Sequence, residues 1–351
     1  MHSSRLFALA VAFACIPVPA LAQRFPFERT FEIGGPAILD VATGRGKIDV
    51  TAGDPGRIVV VGAVTIRVGT GVPADTMELA RRVAAHPPVE RDGATIRLRP
   101  PADAAERRAV TVSYQVQVPP GTRVLAVSES GATTARDVSG AVSVRTQSGA
   151  IELARVGGTV EVTTGSGAVT VDGTGGALTV TTSSSAFVGR ALGGSVRVRT
   201  GSGSVDATLV GAGDADVETG SSGIRVHGID GGVKAVTRSG RITLQGRPAS
   251  AWTVSTRSGG VDISLDPGTP FSVQATSGSG SARVEGAHVQ GTTTKRNVAG
   301  TIDGGGPLVR VDSRSGAVRI MVEAGGPAPS ASPAAEARGR RQRESAGAVR
   351  P

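Results

Sequence analysis

Three sets of side chains in this sequence have types and spacings that could do chemistry. Asp214, Asp216 and Glu218 alternate with Ala215 and Val217, so on an extended strand their carboxylates share one side. Carboxylates gathered this way can hold a cation, or divide acid and base roles on a sugar polymer. Asp214 and Asp216, with Asp206, Asp262 and Arg225, form a candidate acid–base set. A second reading needs no ligand. Arg197, Arg199 and Lys234 recur one repeat away, and opposite charges across neighbouring strands stabilise a sheet by about 0.2–1 kcal/mol a pair.

The second set is basic. Arg238, Arg257, Lys295 and Arg314 each follow a recurring Ser or Thr, with Arg241 and Arg296 close by. Earlier repeats hold Glu129, Gln147, Gly165, Ser183, Gly201 and Gly220 there, and a later one holds Ser277. If the repeats stack, one edge of the C-terminal half becomes basic. Such an edge suits an anionic partner: an acidic envelope polysaccharide, lipid headgroups or an acidic face of another envelope protein. The plainer reading is solvated arginine at exposed turns.

The third set is the column of hydroxyls that generates the repeat. Ser128, Thr146, Thr164, Thr182, Thr200, Thr219, Thr237, Thr256, Thr276, Thr294 and Ser313 recur at intervals of 18 to 20 residues. Most open a T-x-S-G-x-aliphatic turn, as in TQSGAI, TGSGAV and TRSGRI. An array of hydroxyls could bind a repetitive ligand such as a glycan. The structural expectation is a hydroxyl ladder at a corner, with Gly supplying positive φ.

The elements that position these sets follow from the period. Apolar residues alternate before each column residue (Val142 and Val144, Val160 and Val162, Val196 and Val198) and after each turn (Ile151 and Leu153, Val169 and Val171, Ile242 and Leu244). Alternation marks short strands with one buried face. Two strands and two Gly-rich turns make one coil, which buries its core only by stacking on its neighbours. The predicted fold is all-β: a parallel β-solenoid of about 11 coils of 18–19 residues, on the order of 50 Å long at the inter-strand spacing of a sheet.

Composition agrees with a thin core. There are 51 glycines, and aromatic residues make up 3% of the chain. The formal charge is +9, but Arg5 and a tail with five arginines and two glutamates account for four of those charges. Single-strand nucleic-acid binders interleave aromatics with basic residues; this chain does not, so nucleic acid is not an expected partner.

Residues 1–22 read as a signal peptide, with Arg5, an apolar Leu6–Ile16 run and an Ala20-Leu21-Ala22 cleavage site. Export to the periplasm or cell surface is the expectation, with no transmembrane segment in the mature chain. The only cysteine, Cys15, lies in that leader, so the mature chain is expected to have no disulfide and no thiolate metal site. Residues 23–125 form a β-rich capping region with one helix over Asp75–Ala85, Asp75 as its N-cap. Residues 126–324 are the solenoid, and 325–351 a disordered, basic Pro/Ala/Arg-rich tail.

The T-x-S-G-x-[IV] coils, the DVATGRGKIDV segment and the VSYQVQVPPGTRVLAVSESGA junction resemble the bacterial "putative adhesin" family of β-strand-repeat domains, a family of unknown function. The resemblance covers about residues 30–324. It implies a parallel β-solenoid in an exported or cell-envelope protein and carries no catalytic residues. The sequence departs from the pattern at Ser183-Ser184-Ser185, where Gly is lost, and at Lys295-Arg296-Asn297, where Asn replaces it.

No G-x-S-x-G, HExxH or P-loop lysine motif occurs. The histidines of the mature chain, His86, His227 and His288, are far apart. No cofactor and no metal are expected. The function read from the sequence is a non-enzymatic surface for adhesion, envelope scaffolding or binding. The alternatives are a polysaccharide-active β-helix enzyme and a self-assembling fibre. The fibre predicts an open edge at Met321–Ala324.

Overall fold

The computed structural model describes residues 24–67 and 75–323. The leader with Cys15 and the tail from 325 lie outside them. The described chain is all-β, with 27 strands in one sheet system and two short helices, Thr76–Ala85 and Ala104–Ala109.

The alternation sets the strands. In Val142–Thr146 the side chains of Val142, Val144 and Thr146 are buried, while Ser143 and Arg145 face outward. Each repeat supplies one such strand to each of two ladders. In the first ladder Val142 pairs in parallel with Val160, and Val160 with Leu178. In the second, Ile151 pairs in parallel with Val169, and Val169 with Phe187. The inward Val, Ile and Leu residues make one continuous core between the ladders.

Most column hydroxyls close their own turns, Thr256 being an exception whose buried hydroxyl has no partner. The Gly149 N–H donates to Thr146 Oγ1 at 3.0 Å, and the same bond joins Gly167 to Thr164 and Gly203 to Thr200. Several hydroxyls also donate to the neighbouring layer's backbone, as Thr219 Oγ1 does to the Gly203 carbonyl at 3.1 Å. The ladder is therefore hydroxyl to backbone, which satisfies both groups in a buried corner.

The glycine of this turn is not there for positive φ, contrary to the expectation. A Cβ on Gly167 would stand 1.8 Å from the Gly149 carbonyl oxygen of the preceding layer. Glycine fits this close approach without displacement, and the exceptions at this place are the small Ser185 and Ser222. Positive φ sits instead at the opposite corner, in Asp137, Arg155, Gly173 and Ala191 on four successive layers. At the departure, the Ser185 N–H keeps the bond to Thr182 Oγ1 at 3.2 Å. The buried Ser185 hydroxyl has no partner.

At both ends, sequence order and spatial order part company. Trp252 lies on the long strand Ile242–Thr256, whose second half pairs in parallel with Leu308–Ser313 rather than with Phe271–Ser277. Leu308–Ser313 then pairs with Phe271–Ser277 on its other side. Likewise Val318–Val322 lies between Val261–Leu265 and Ala282–Glu285. The last repeat is thus inserted one layer in. The N-terminal end does the same: Ile38–Thr43 lies between Thr95–Leu98 and Arg123–Ser128. Its partner Ile48–Ala52 lies between Val110–Val118 and Thr133–Arg136.

Two sequence assignments change as a result. Ser277, not Thr276, is the buried column residue, paired with Ser313. Thr276 faces outward and donates to Asp312 Oδ1 at 2.5 Å. Thr294 is not in the column either. It opens the tip of an antiparallel hairpin, Gln290–Thr293 against Asn297–Ile302, that packs on Phe271–Ser277. Asn297 donates its N–H to Thr294 Oγ1 at 3.0 Å there, so a column-like hydroxyl bond occurs without a coil.

Antiparallel strands finish the first ladder at both ends and the second at the N-terminal end. Arg24–Glu32 pairs with Arg57–Ile66, which pairs with Val110–Val118. Helix Thr76–Ala85 lays Leu79, Ala80 and Val83 on this layer. Asp75 precedes it as predicted but makes no side-chain cap. The strand Val318–Val322 is flanked on both sides, so the open edge at Met321–Ala324 required by a fibre is absent from the described residues, which reach 323.

Candidate functional site

The outward face is built by the same alternation that builds the core. Its charges are largely paired along the stack. Arg197 Nε lies 3.1 Å from Asp216, Arg199 lies 3.7 Å from both Asp216 and Glu218, and Arg225 lies 3.2 Å from Asp206. Arg241 reaches Asp262 at 2.6 Å. Asp214 accepts the Gly232 N–H at 2.7 Å. Lys234 is in register with Asp216. The candidate acid–base set is therefore spread over several layers, each carboxylate held by a neighbour rather than converging on one point. Among the described residues, no group of three or more His, Cys, Asp or Glu side chains is placed to hold a metal ion. His227 shares a 2.9 Å hydrogen bond with Gln245 across one layer, and the His86 N–H closes the last turn of its helix.

The paired charges shift in the expected direction. Hydrogen bonds from Arg155 hold the Asp137 carboxyl below its ordinary value. Arg319 does the same to Glu285. Such shifts report ion pairs on a surface and do not single out a reactive group.

The basic edge is different. Parallel pairing carries the residue after each column hydroxyl onto the residue after its neighbour. The Arg257 N–H donates to the Thr237 carbonyl, and the Arg314 N–H to the Thr256 carbonyl. Arg238, Arg257 and Arg314 therefore occupy three consecutive layers, although 57 residues of chain separate the last two. All three side chains are exposed. None has a salt bridge or side-chain hydrogen bond among the described residues. Beyond them Gly278 fills the next layer. The hairpin tip then brings in Lys295 and Arg296, whose carbonyls accept from Ala282 and Ser277. Lys295 and Arg296 are also exposed and unpaired. Of the six basic residues expected at this edge, Arg241 alone is neutralised, by Asp262.

Beside the arginines runs an open groove of about 1090 Å³. Arg238, Arg257 and Arg314 line it, with the outward Thr181, Ser255 and Thr276, and with Gly201, Gly220 and Gly278 where the turn carries no side chain. Glu218 and Asp312 also line it; Arg199 neutralises the first, and the second accepts from Thr276. The groove was not visible in the sequence, because the layer between Arg257 and Gly278 arrives from 308–322. One signal pointed to it. The three turns reading R-S-G after the hydroxyl, at 237–240, 256–259 and 313–316, are the three that stack.

A family model described as Toastrack DUF4097 matches residues 115–321, more than half of the chain. The curated proteins contain no match. Among solved structures, a putative cell adhesion protein from Clostridium sporogenes ATCC 15579 is 8% identical, with 85% of this chain and 100% of that one covered. Its TM-score is 0.17, a likeness that carries no argument about this chain.

Proposed function

The chain belongs to the Toastrack DUF4097 family, whose function is unknown, and on that premise we propose that it is an exported, non-enzymatic binding protein of the cell envelope. The architecture we infer is a parallel β-solenoid. Its hydroxyl column threads Thr43, Ser128, Thr146, Thr164, Thr182, Thr200, Thr219, Thr237, Thr256, Ser313 and Ser277, which supports about eleven layers. The working surface is the basic edge, and its partner is anionic. Export to the periplasm or cell surface rests on the leader at residues 1–22. Among the described residues, no helix is long and apolar enough to cross a membrane.

One observation carries this reading: arginines elsewhere on the array are mostly matched to a carboxylate, whereas Arg238, Arg257 and Arg314 stack unmatched beside a groove. What weighs against a sugar-cleaving enzyme is the pairing of Asp206, Asp216 and Asp262 with arginines.

The test is binding of purified mature protein to envelope material and acidic glycans. The triple reversal R238E/R257E/R314E is expected to abolish retention, and Arg225→Glu on the paired face to leave it intact. Retention unchanged by the triple reversal removes the basic edge as the working surface.

A further inference from the structure

We propose that the groove seats a linear polyuronate, laid along the stacking axis with its carboxylates on the Arg238–Arg257–Arg314 row; this deepens the anionic-partner reading above and rests on it. The row has the geometry of a ruler. Parallel pairing places its three guanidinium-bearing residues on successive layers, hence ~4.8 Å apart along the axis. Past the gap at Gly278 it resumes at Lys295.

Such a row is self-repelling. Unit charges at that spacing cost about 0.9 kcal/mol a pair even in water, and like charges opposite each other destabilise a sheet. On the outward faces nearby, the chain relieves this by alternating signs, as in Arg197–Asp216 and Arg225–Asp206. At this corner the three arginines make no salt bridge, although Glu218 and Asp312 line the same groove.

The choice among polyanions follows from charge, shape and donors. A polyuronate carries one carboxylate on every ring, so a short oligomer brings several to a row of guanidiniums. A carboxylate is planar with two oxygens and matches the guanidinium fork. The remaining groups on each ring are hydroxyls, and the groove offers Thr181, Ser255 and Thr276 to them. The bare turns at Gly201 and Gly220 let a ring lie close to the backbone. A phospholipid surface is two-dimensional, whereas this row is one residue wide. A nucleic-acid strand would use aromatic platforms, and no aromatic residue lines the groove.

The experiment is titration of the full mature chain with oligogalacturonates from a single ring upward, at low ionic strength and at ~0.15 M salt. Affinity is expected to climb by ~10-fold or more until the oligomer spans the three arginines, because each further carboxylate binds as an intramolecular event, and then to flatten. Methyl-esterified oligomers of the same length should not bind. Arg257→Gln, in the middle of the row, should cost ~10-fold and remove the length dependence. Arg225→Gln should change nothing. Affinity independent of length, equal binding of the esters, or an unaffected Arg257→Gln overturns the proposal. Polyphosphate or anionic phospholipid vesicles are titrated in parallel. If they bind through Arg257 and oligouronates do not, the polyuronate assignment falls and the anionic edge stands. If none of the anions binds, both fall.

Discussion

In the middle of the molecule, from 123 to 265, neighbours in sequence are neighbours in space. Each strand pairs with the one 18 or 19 residues on, from Val142↔Val160 to Ala215↔Val233. At the two ends one layer is borrowed from far along the chain: 38–52 at one, 308–322 at the other. A uniform stack behaves as a one-dimensional array whose terminal repeats fray first. Here the terminal repeats are bound into place by a strand that belongs elsewhere in sequence. The lesson is that a periodic sequence specifies the layers without specifying their order.

The comparison is broken most severely by ending the chain after Ile302. That removes Val309, Val311, Val318, Ile320 and Val322, all buried, whose burial contributes on the order of 10 kcal/mol at the usual values for aliphatic side chains. Hydrogen exchange should then show loss of protection over 252–302, with protection kept over 142–219. Equal loss across both regions would mean that the ends and the middle are one cooperative unit.

Glycine in the middle gives a smaller effect. Gly167→Ala forces a Cβ into the Gly149 carbonyl and should cost about 1–3 kcal/mol in urea denaturation. Ser185→Gly, at the same place one layer on, frees a buried unpartnered hydroxyl against the entropy of a glycine and should stay within about 1 kcal/mol. A destabilisation by Ser185→Gly as large as that of Gly167→Ala would contradict the close-approach account.

The smallest effect sharpens the N-terminal end. Asp40, in the borrowed layer, takes two hydrogen bonds from Arg99 of the outer layer, at 2.9 and 2.5 Å. Those bonds, and then the charges of Arg99 and Arg97, outweigh burial and hold the Asp40 carboxyl below its ordinary 3.8. A depressed carboxyl stabilises the fold at neutral pH, and that contribution disappears as pH falls through its folded pKa, below 3.8. Asp40→Asn should therefore lower stability at pH ~7 by about 1 kcal/mol or less, since the Arg99 side chain is more than a third exposed. The gap between variant and native chain should close in strong acid; a gap that widens there would contradict the pairing.

The strands and the core were legible in the sequence because the alternation of Val, Ile and Leu with polar residues has one structural meaning. The corner was half legible. Thr146, Thr164 and their equivalents were placed correctly, but the role of Gly149 and Gly167 was not, since collision with a neighbouring layer and positive φ both select glycine. Thr276 was misplaced by one residue, which in a strand reverses the side chain. The run Thr276-Ser277 offers two hydroxyls, and only the partner strand 308–313 decides between them. Thr294 was misread because a hairpin tip and a solenoid corner both use a hydroxyl to accept an N–H three residues on. At the candidate site, Arg238, Arg257 and Arg314 were named from their position after the hydroxyl. Their contiguity depends on the borrowed layer and was not legible.

The borrowed C-terminal layer also decides how the molecule carries load. Val318–Val322 is gripped by a parallel strand on each side, and the chain leaves it at the end of the strand. Tension applied at Glu323 along the strand axis pulls Val318–Val322 lengthwise. It meets the hydrogen bonds to both neighbouring strands together, in shear, rather than opening them singly as at a free edge. A tether at this terminus therefore pulls against a bolt seated between two plates, and the basic edge beside it stays assembled while the bolt holds.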